Sequence, residues 1–377
     1  MNERSIFFEA LDQGTPAERS SYLDTVCGGD GALRQRVEAL LRSHEEAGNF
    51  LDKTAPERLA AEQAACGELE QTQRQPLLDD GAEPLSFLSP SSKPGSLGRL
   101  DHYEVLEVVG RGGMGVVLRA RDTKLQRVVA LKVLAAPLAA SGSARQRFAR
   151  EARAAAAVRD DHVIDIYAVC DDGPLPYLVM EFIDGCTLET LLRKGGPLEV
   201  QQILRIGIQA ASGLAAAHKQ GLIHRDVKPA NILLENGVQR VKLTDFGLAR
   251  AADDASLTQS GLIAGTPLYM APEQAVGEPI GPRADLFSLG SVLYELCTGR
   301  PAFRAPTTLA VIRRVCDEKP RPIREVNPDI PESLCRLIAR LQAKKPADRP
   351  ASAKEVADLL AGLLADLSEP RTQRSGV

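Results

Sequence analysis

In the run HRDVKPAN, His224 to Asn231, a carboxylate (Asp226), an ammonium (Lys228) and a carboxamide (Asn231) fall within six residues. Pro229 keeps a regular helix from running through them, so a short irregular loop offers all three. A base, a cation and an oxygen ligand on one loop suit the transfer of a highly charged group, where positioning and charge neutralisation carry most of the catalysis. A second aspartate, Asp245 in KLTDFGLAR, follows a short apolar run and precedes a glycine. Alone it reads as a turn residue. With Asn231 it supplies the hard oxygen donors of a Mg2+ site, since magnesium takes one or two ligands from protein and the rest from phosphate and water.

Upstream, the stretch Val109, Gly110, Arg111, Gly112, Gly113, Met114, Gly115, Val116, Val117 sets three spaced glycines between two apolar runs. Glycines there let backbone N–H groups approach phosphate oxygens without a Cβ in the way. A dinucleotide fingerprint would place them between a strand and a helix, and here a second strand follows. Lys132 in VVALKVL lies on a predicted strand, where a lone lysine is usually a surface residue. Glu151 comes nineteen residues later in RQRFAREARAAAAV, and a carboxylate on that helix could pair with the ammonium inside a cleft so that neither charge is buried alone.

Taken together and in order, Gly110-x-Gly112-x-x-Gly115-x-Val117, Ala130-x-Lys132, Glu151, HRDVKPAN, DFG and APE (Ala271 to Glu273) resemble the eukaryotic-type protein kinase family, and within it the Ser/Thr-specific bacterial members. The resemblance covers roughly Tyr103 to Leu364. It implies ATP and Mg2+ as cofactors and protein Ser/Thr hydroxyls as acceptors. It makes Lys132 the ligand of the α- and β-phosphates, Glu151 its partner, Asp226 the group that orients the hydroxyl and accepts its proton, and Lys228 the neutraliser of the γ-phosphoryl group. Asn231 and Asp245 would hold magnesium. Val117, Ala130 and Leu233 would enclose the adenine, with Met180 as gatekeeper and backbone groups of Glu181 and Ile183 at the adenine edge. Glu273 is expected to pair with Arg349, and Asp285 to hold the catalytic loop.

Lys228 and GTPLYMAPE match the Ser/Thr branch, with Thr266 near Asp226 and Lys228. Ser256, Thr258 and Ser260 lie between Asp245 and Glu273, and Arg225 precedes the catalytic aspartate; a phosphate in that run would pair with the arginine and order the segment, so autophosphorylation is expected at Thr258 or Ser260, with Thr266 the third candidate. Three features depart from the family: RDDHV in place of a His-Pro turn, the alanines Ala154 to Ala157, and Phe287 where Trp or Tyr is common. Two other readings are a pseudokinase scaffold, disfavoured by the intact Lys132, Asp226, Asn231 and Asp245, and a small-molecule kinase of related fold, disfavoured by the Gly-rich run and APE occurring together.

The elements that must position these groups divide the chain. Residues 1–50 read as a small helical module, with Thr15 capping and Pro16 opening one helix; the segment is similar to a helical leader of some planctomycete kinases. Residues 51–100, rich in Gln, Ala, Pro, Ser and Gly, read as a flexible linker. The kinase-like domain spans 103–364, with strands first (YEVLEVVG, GVVLRARD, VVALKVL, VIDIYAVC, LPYLVMEF) and helices beyond Gly185, followed by a short tail, 365–377. The fold expected is α+β and bilobal, a β-rich N-lobe and a helical C-lobe, preceded by the helical module.

Composition sets outer limits. The 377 residues are 44% hydrophobic, enough for a large core. The net charge of -4 argues against nucleic acid as a partner, and is uneven: residues 1–99 carry -7 and the remainder +3. Seven scattered cysteines form no C-x-x-C pair, as in a reducing compartment. No signal peptide and no run of 18 apolar residues occurs, so a cytoplasmic chain with no membrane segment is expected. The partners implied are Ser/Thr-bearing proteins and, through the N-lobe, a second copy of the chain.

Overall fold

The computed structural model describes residues 16–27, 34, 85–195, 198–237, 240–246 and 267–368. It separates into two units, Met1–Glu83 and Pro84–Val377. In the first, helix α1 (Pro16–Cys27) begins at the proline that the sequence marks as its start, and Arg34 forms an ion pair with Asp24.

The second unit opens with a six-stranded antiparallel sheet, in the spatial order β1 (Gly98–Leu100), β2 (Tyr103–Gly112), β3 (Gly115–Asp122), β4 (Arg127–Leu134), β6 (Tyr177–Glu181), β5 (Ile166–Cys170). Valine or isoleucine recurs in every strand from β2 to β6, and the alternation of side chains along each strand gives the sheet two working faces. Val129, Leu131 and Val133 join Val105, Leu118 and Val179 in an outer apolar cluster. Ala130 and Lys132, between them in β4, face the other way. Helix α2 (Ala136–Ala139) and the longer α3 (Gly142–Ala156) follow β4. Ser141 caps α3 by accepting from Ala144 N, and Phe148 packs with Leu134, Leu138 and Leu178.

The outer face is closed by a segment that the sequence reads as linker. Leu85, Phe87 and Leu88 pack on the outer cluster. Ser89 and Arg99 exchange backbone hydrogen bonds at 2.8 Å each, and Leu97 N–H donates to Val105 O at 2.9 Å. Ser91 Oγ donates to the buried Glu104 carboxylate, which also faces Lys93 at 3.5 Å. Three apolar residues among prolines and serines carry no periodicity of their own; their partners lie on strands remote in sequence. The correction is therefore that residues 85–100 form a strap on the sheet and are no linker.

Beyond β7 (Gly185–Thr187) the chain is helical: α4 (Leu188–Gly195), α5 (Val200–Lys219), and, after β8 (Ile232–Glu235) and β9 (Arg240–Leu243), α6 (Pro272–Ala275), α7 (Pro282–Thr298), α8 (Thr308–Asp317), α9 (Ile323–Val326), α10 (Glu332–Leu341) and α11 (Ala353–Ser368). α7 is buried along nearly its whole length, as expected of a helix apolar on every side. With α5, α10 and α11 it forms the largest core, including Ile203, Leu214, Leu286, Leu293, Ile338 and Leu360. Phe287 stacks on Phe303 with ring centroids 5.8 Å apart, so the smaller aromatic still fills its site. The lobes meet along backbone: Ile164 N–H donates to Leu243 O at 2.9 Å and Leu243 N–H to His162 O at 2.8 Å. The expected α+β, two-lobed arrangement is the one observed.

Candidate functional site

Between the lobes lies a cleft of about 1810 Å³, larger than the few hundred to about 1,000 Å³ of a small-molecule site. It has room for a nucleotide and for part of a second substrate. Its inner end is an apolar slot in which Ala130, Ile164 and Met180 contact Val117, Phe182, Ile183 and Leu233. Strand register explains the grouping: Ala130 is paired with Met180 across β4 and β6, and Val117 with Lys132 across β3 and β4. The Glu181 side chain is turned away to the buried Lys242, 2.6 Å from its Nζ. Its N–H donates to Asp165 O at 2.9 Å.

The Gly-rich run forms the β2–β3 hairpin above the slot. A Cβ on Gly110, Gly112 or Gly113 would meet nothing within 4 Å, so backbone groups lie open to the cleft there. Gly115 is different. Its φ is +137° and a Cβ would lie 1.9 Å from Val133 O, so only glycine fits at the exit of the turn. Met114 packs against the cluster of Leu134, Leu138 and Phe148, and its carbonyl accepts from Ala135 N–H at 2.9 Å.

Lys132 is buried and its Nζ lies 2.7 Å from Asp245 Oδ1. Burial pushes the Asp245 carboxyl up, but the adjacent Lys132 ammonium, with His224 and Lys228 further off, outweighs it and holds the group below the ordinary carboxylate value. Asp245 is thus ionised at neutral pH, the form that binds a hard cation. Glu151 is also buried, on the α3 face that carries Phe148 and Ala152.

The catalytic-type loop is held from several sides. Asp285, fully buried at the start of α7, accepts His224 N–H and Arg225 N–H, both at 2.8 Å, and lies 2.7 Å from His218 Nε2. Gln274 Nε2 donates to Arg225 O at 2.9 Å. Lys228 Nζ donates to Asp226 Oδ2 at 2.7 Å. Asn231, in the short 3-10 turn that Pro229 opens, donates through Nδ2 to Asp226 O at 2.8 Å and Asp226 Oδ2 at 3.0 Å. With its nitrogen so committed, the Asn231 amide presents its oxygen as the acceptor left for a cation. Arg225 and Asp245 adopt left-handed φ of 67° and 66°, a conformation costly for these residues and kept where surroundings enforce it. Further out, Arg349, 2% exposed, grips Glu273 through two nitrogens at 2.6 and 2.8 Å and donates to three backbone carbonyls, those of Arg283, Ala343 and Lys344.

Lys132, Asp226, Lys228, Asn231 and Asp245, with Val109 to Gly115, Val117, Ala130, Met180, Glu181, Ile183 and Leu233, all line this one cleft. Val116, proposed with them, belongs to the outer apolar cluster instead, because alternation turns it from the cleft. Ser256, Thr258, Ser260 and Thr266 lie outside the described residues. Sequence reasoning missed Ile164 and Phe182 in the slot, Gln274 behind the loop, and Lys242 under Glu181. Lys242 alternates with buried Val241 and Leu243, and nothing local distinguishes it from an outward-facing lysine.

A family model described as "Protein kinase domain" matches residues 103–359. The chain is 44% identical over 227 residues to the serine/threonine-protein kinase PknB of Mycobacterium leprae, 59% of this chain and 36% of that protein. It is 43% identical over 240 residues to PknB of Mycolicibacterium smegmatis, 62% and 38%. The chain thus matches little more than a third of the length of these curated relatives. The crystal structure of the Mycobacterium tuberculosis PknI kinase domain superposes with a TM-score of 0.58 at 28% identity, covering 72% of this chain and 99% of that one.

Proposed function

The chain belongs to the protein kinase domain family, and on that premise we propose that it is an active Ser/Thr protein kinase, transferring the γ-phosphoryl group of ATP to protein hydroxyls with Mg2+. The observation that carries the reading is the convergence of Lys132, Asp226, Asn231 and Asp245 in one cleft, with Lys132 2.7 Å from Asp245. The apolar slot takes the adenine, and the open glycine backbone with Lys132 receives the phosphates. Asp226, oriented by Lys228 and Asn231, accepts the hydroxyl proton, while Lys228 neutralises charge on the transferring group. Asn231 and Asp245 would hold magnesium, whose positive charge would offset that of the phosphates. Glu151 fixes the direction of Lys132.

The same reading extends to autophosphorylation on Thr258, Ser260 or Thr266, answered by Arg225, and to a cytoplasmic location; among the described residues no helix is long and apolar enough to cross a membrane. The proposed domain limits are a helical module over 1–50, a linker reaching to about residue 84, and a kinase domain that begins with the strap. Residues 1–50, similar to a planctomycete leader and carrying no cluster of His and Cys in their sequence, would serve as a docking or folding module. A homodimer through the N-lobe would use a surface other than the outer face filled by Leu85, Phe87 and Leu88. The test is incubation with labelled ATP and Mg2+, comparing wild type with Asp226→Asn and mapping the phosphosites. Transfer in wild type and its loss in the variant is expected; equal labelling of both overturns the assignment.

A further inference from the structure

Helix α3 carries Glu151, yet the face it buries is mostly small: Ala144, Ala149, Ala152 and Ala155, with Phe148 as its one large anchor. Each alanine buries little apolar area, so the helix is held weakly by packing. Two arginines supply other contacts. Arg145 directs its guanidinium into the loop between β5 and β6, donating from Nη2 to Asp171 O at 2.8 Å and Gly173 O at 2.6 Å, and from Nη1 to Pro174 O at 3.1 Å. Two turns on, Arg153 Nη2 meets the Asp171 carboxylate at 2.7 Å. The same loop is also gripped by β4, because Leu134 N–H donates to Pro176 O at 2.9 Å.

The strand bearing Lys132 and the helix bearing Glu151 are therefore fastened to one six-residue loop, 171–176, which runs directly into β6 and Met180. We propose that Arg145 is a positioning residue: through the 171–174 carbonyls it sets where α3 stands relative to β4, and so where Glu151 stands relative to Lys132. Three carbonyls in one loop match the fixed fork of a guanidinium, and charge-assisted bonds of this kind are stronger than neutral ones. Arg153 is the lesser half of the tether, because its head is 61% exposed and its ion pair is screened.

The inference rests on the kinase reading, so its test has a second readout. Arg145→Ala, Arg145→Lys and wild type are compared as full chains, by steady-state ATP kinetics with a generic Ser/Thr protein substrate and by amide hydrogen exchange. Arg145→Ala is expected to lower kcat/KM for ATP by about tenfold, with KM for the protein substrate unchanged. Exchange rises over 142–156 but not over 200–219. Arg145→Lys, with one ammonium for three acceptors, recovers part of both. Unchanged ATP kinetics in Arg145→Ala, or exchange raised equally in α3 and α5, overturns the proposal. A wild-type chain that transfers no phosphoryl group refutes the kinase reading alone, and exchange in α3 then still decides for or against the tether.

Discussion

The two walls of the cleft are built by opposite means. Below, the loop from His224 to Asn231 is fixed at five of its eight residues: Asp285 holds two of its amides, Gln274 a carbonyl, and Lys228 and Asn231 converge on Asp226. Above, the hairpin from Val109 to Gly115 is secured at its exit and through Met114, while Gly112 and Gly113 have open space where a side chain would be. The difference follows the chemistry assigned to each wall. A proton acceptor and its neighbours lose rate with small displacements, whereas backbone N–H groups that close on phosphates must admit and release a nucleotide.

That contrast can be broken most severely from behind the lower wall. Arg349→Ala strips the partner from the buried Glu273, beside Gln274, and is expected to cost about 3–5 kcal/mol, read as a fall in thermal midpoint. Asp285→Asn keeps the shape of that side chain but replaces one acceptor with a donor facing a donor. It should cost about 1.5–3 kcal/mol, read as a lower kcat with KM for ATP nearly unchanged. On the upper wall, Gly115→Ala forces a Cβ against Val133 O at a φ few side chains adopt, an expected loss of about 1–3 kcal/mol in a denaturant titration.

Smaller effects sharpen the comparison. Glu104 fastens the strap: hydrogen bonds from Ser91 and Ser96 hold its carboxyl below the ordinary value of 4.5, against the opposing effect of burial, with Lys93 assisting. A carboxyl so lowered contributes stability that is present above pH 4.5 and lost as pH falls through its folded value. Proteolysis within 85–100 should therefore accelerate below pH 4.5 in wild type, with a weaker pH response in Glu104→Gln. Least disruptive is Gly112→Ala, where stability should hold within about 0.5 kcal/mol and the change appears in KM for ATP.

The cleft residues were legible because the roles proposed for them demand particular chemistry at short spacing. His224 to Asn231, the DFG aspartate and the glycines announce themselves locally, and the strands β3 and β4 follow the alternation that places Ala130 and Lys132 on one face. What escaped is what depends on distant partners. Leu85, Phe87 and Leu88 look like stray apolar residues until Val105 and Leu118 are set beside them. Arg145 resembles any helix-surface arginine until the 171–174 carbonyls are in view. The pairing of Lys132 with Asp245 joins residues 113 positions apart in the chain, a separation that no periodicity spans.

The strap has a consequence for where this protein can be divided. The stretch matched by the family begins at Tyr103, yet Tyr103, Val105 and Leu118 complete their burial with side chains donated from before it. The stretch that the family model matches and the packed unit that begins at Pro84 are different lengths of polypeptide. A fragment cut to the shorter length would carry an oily, uncovered roof into solution.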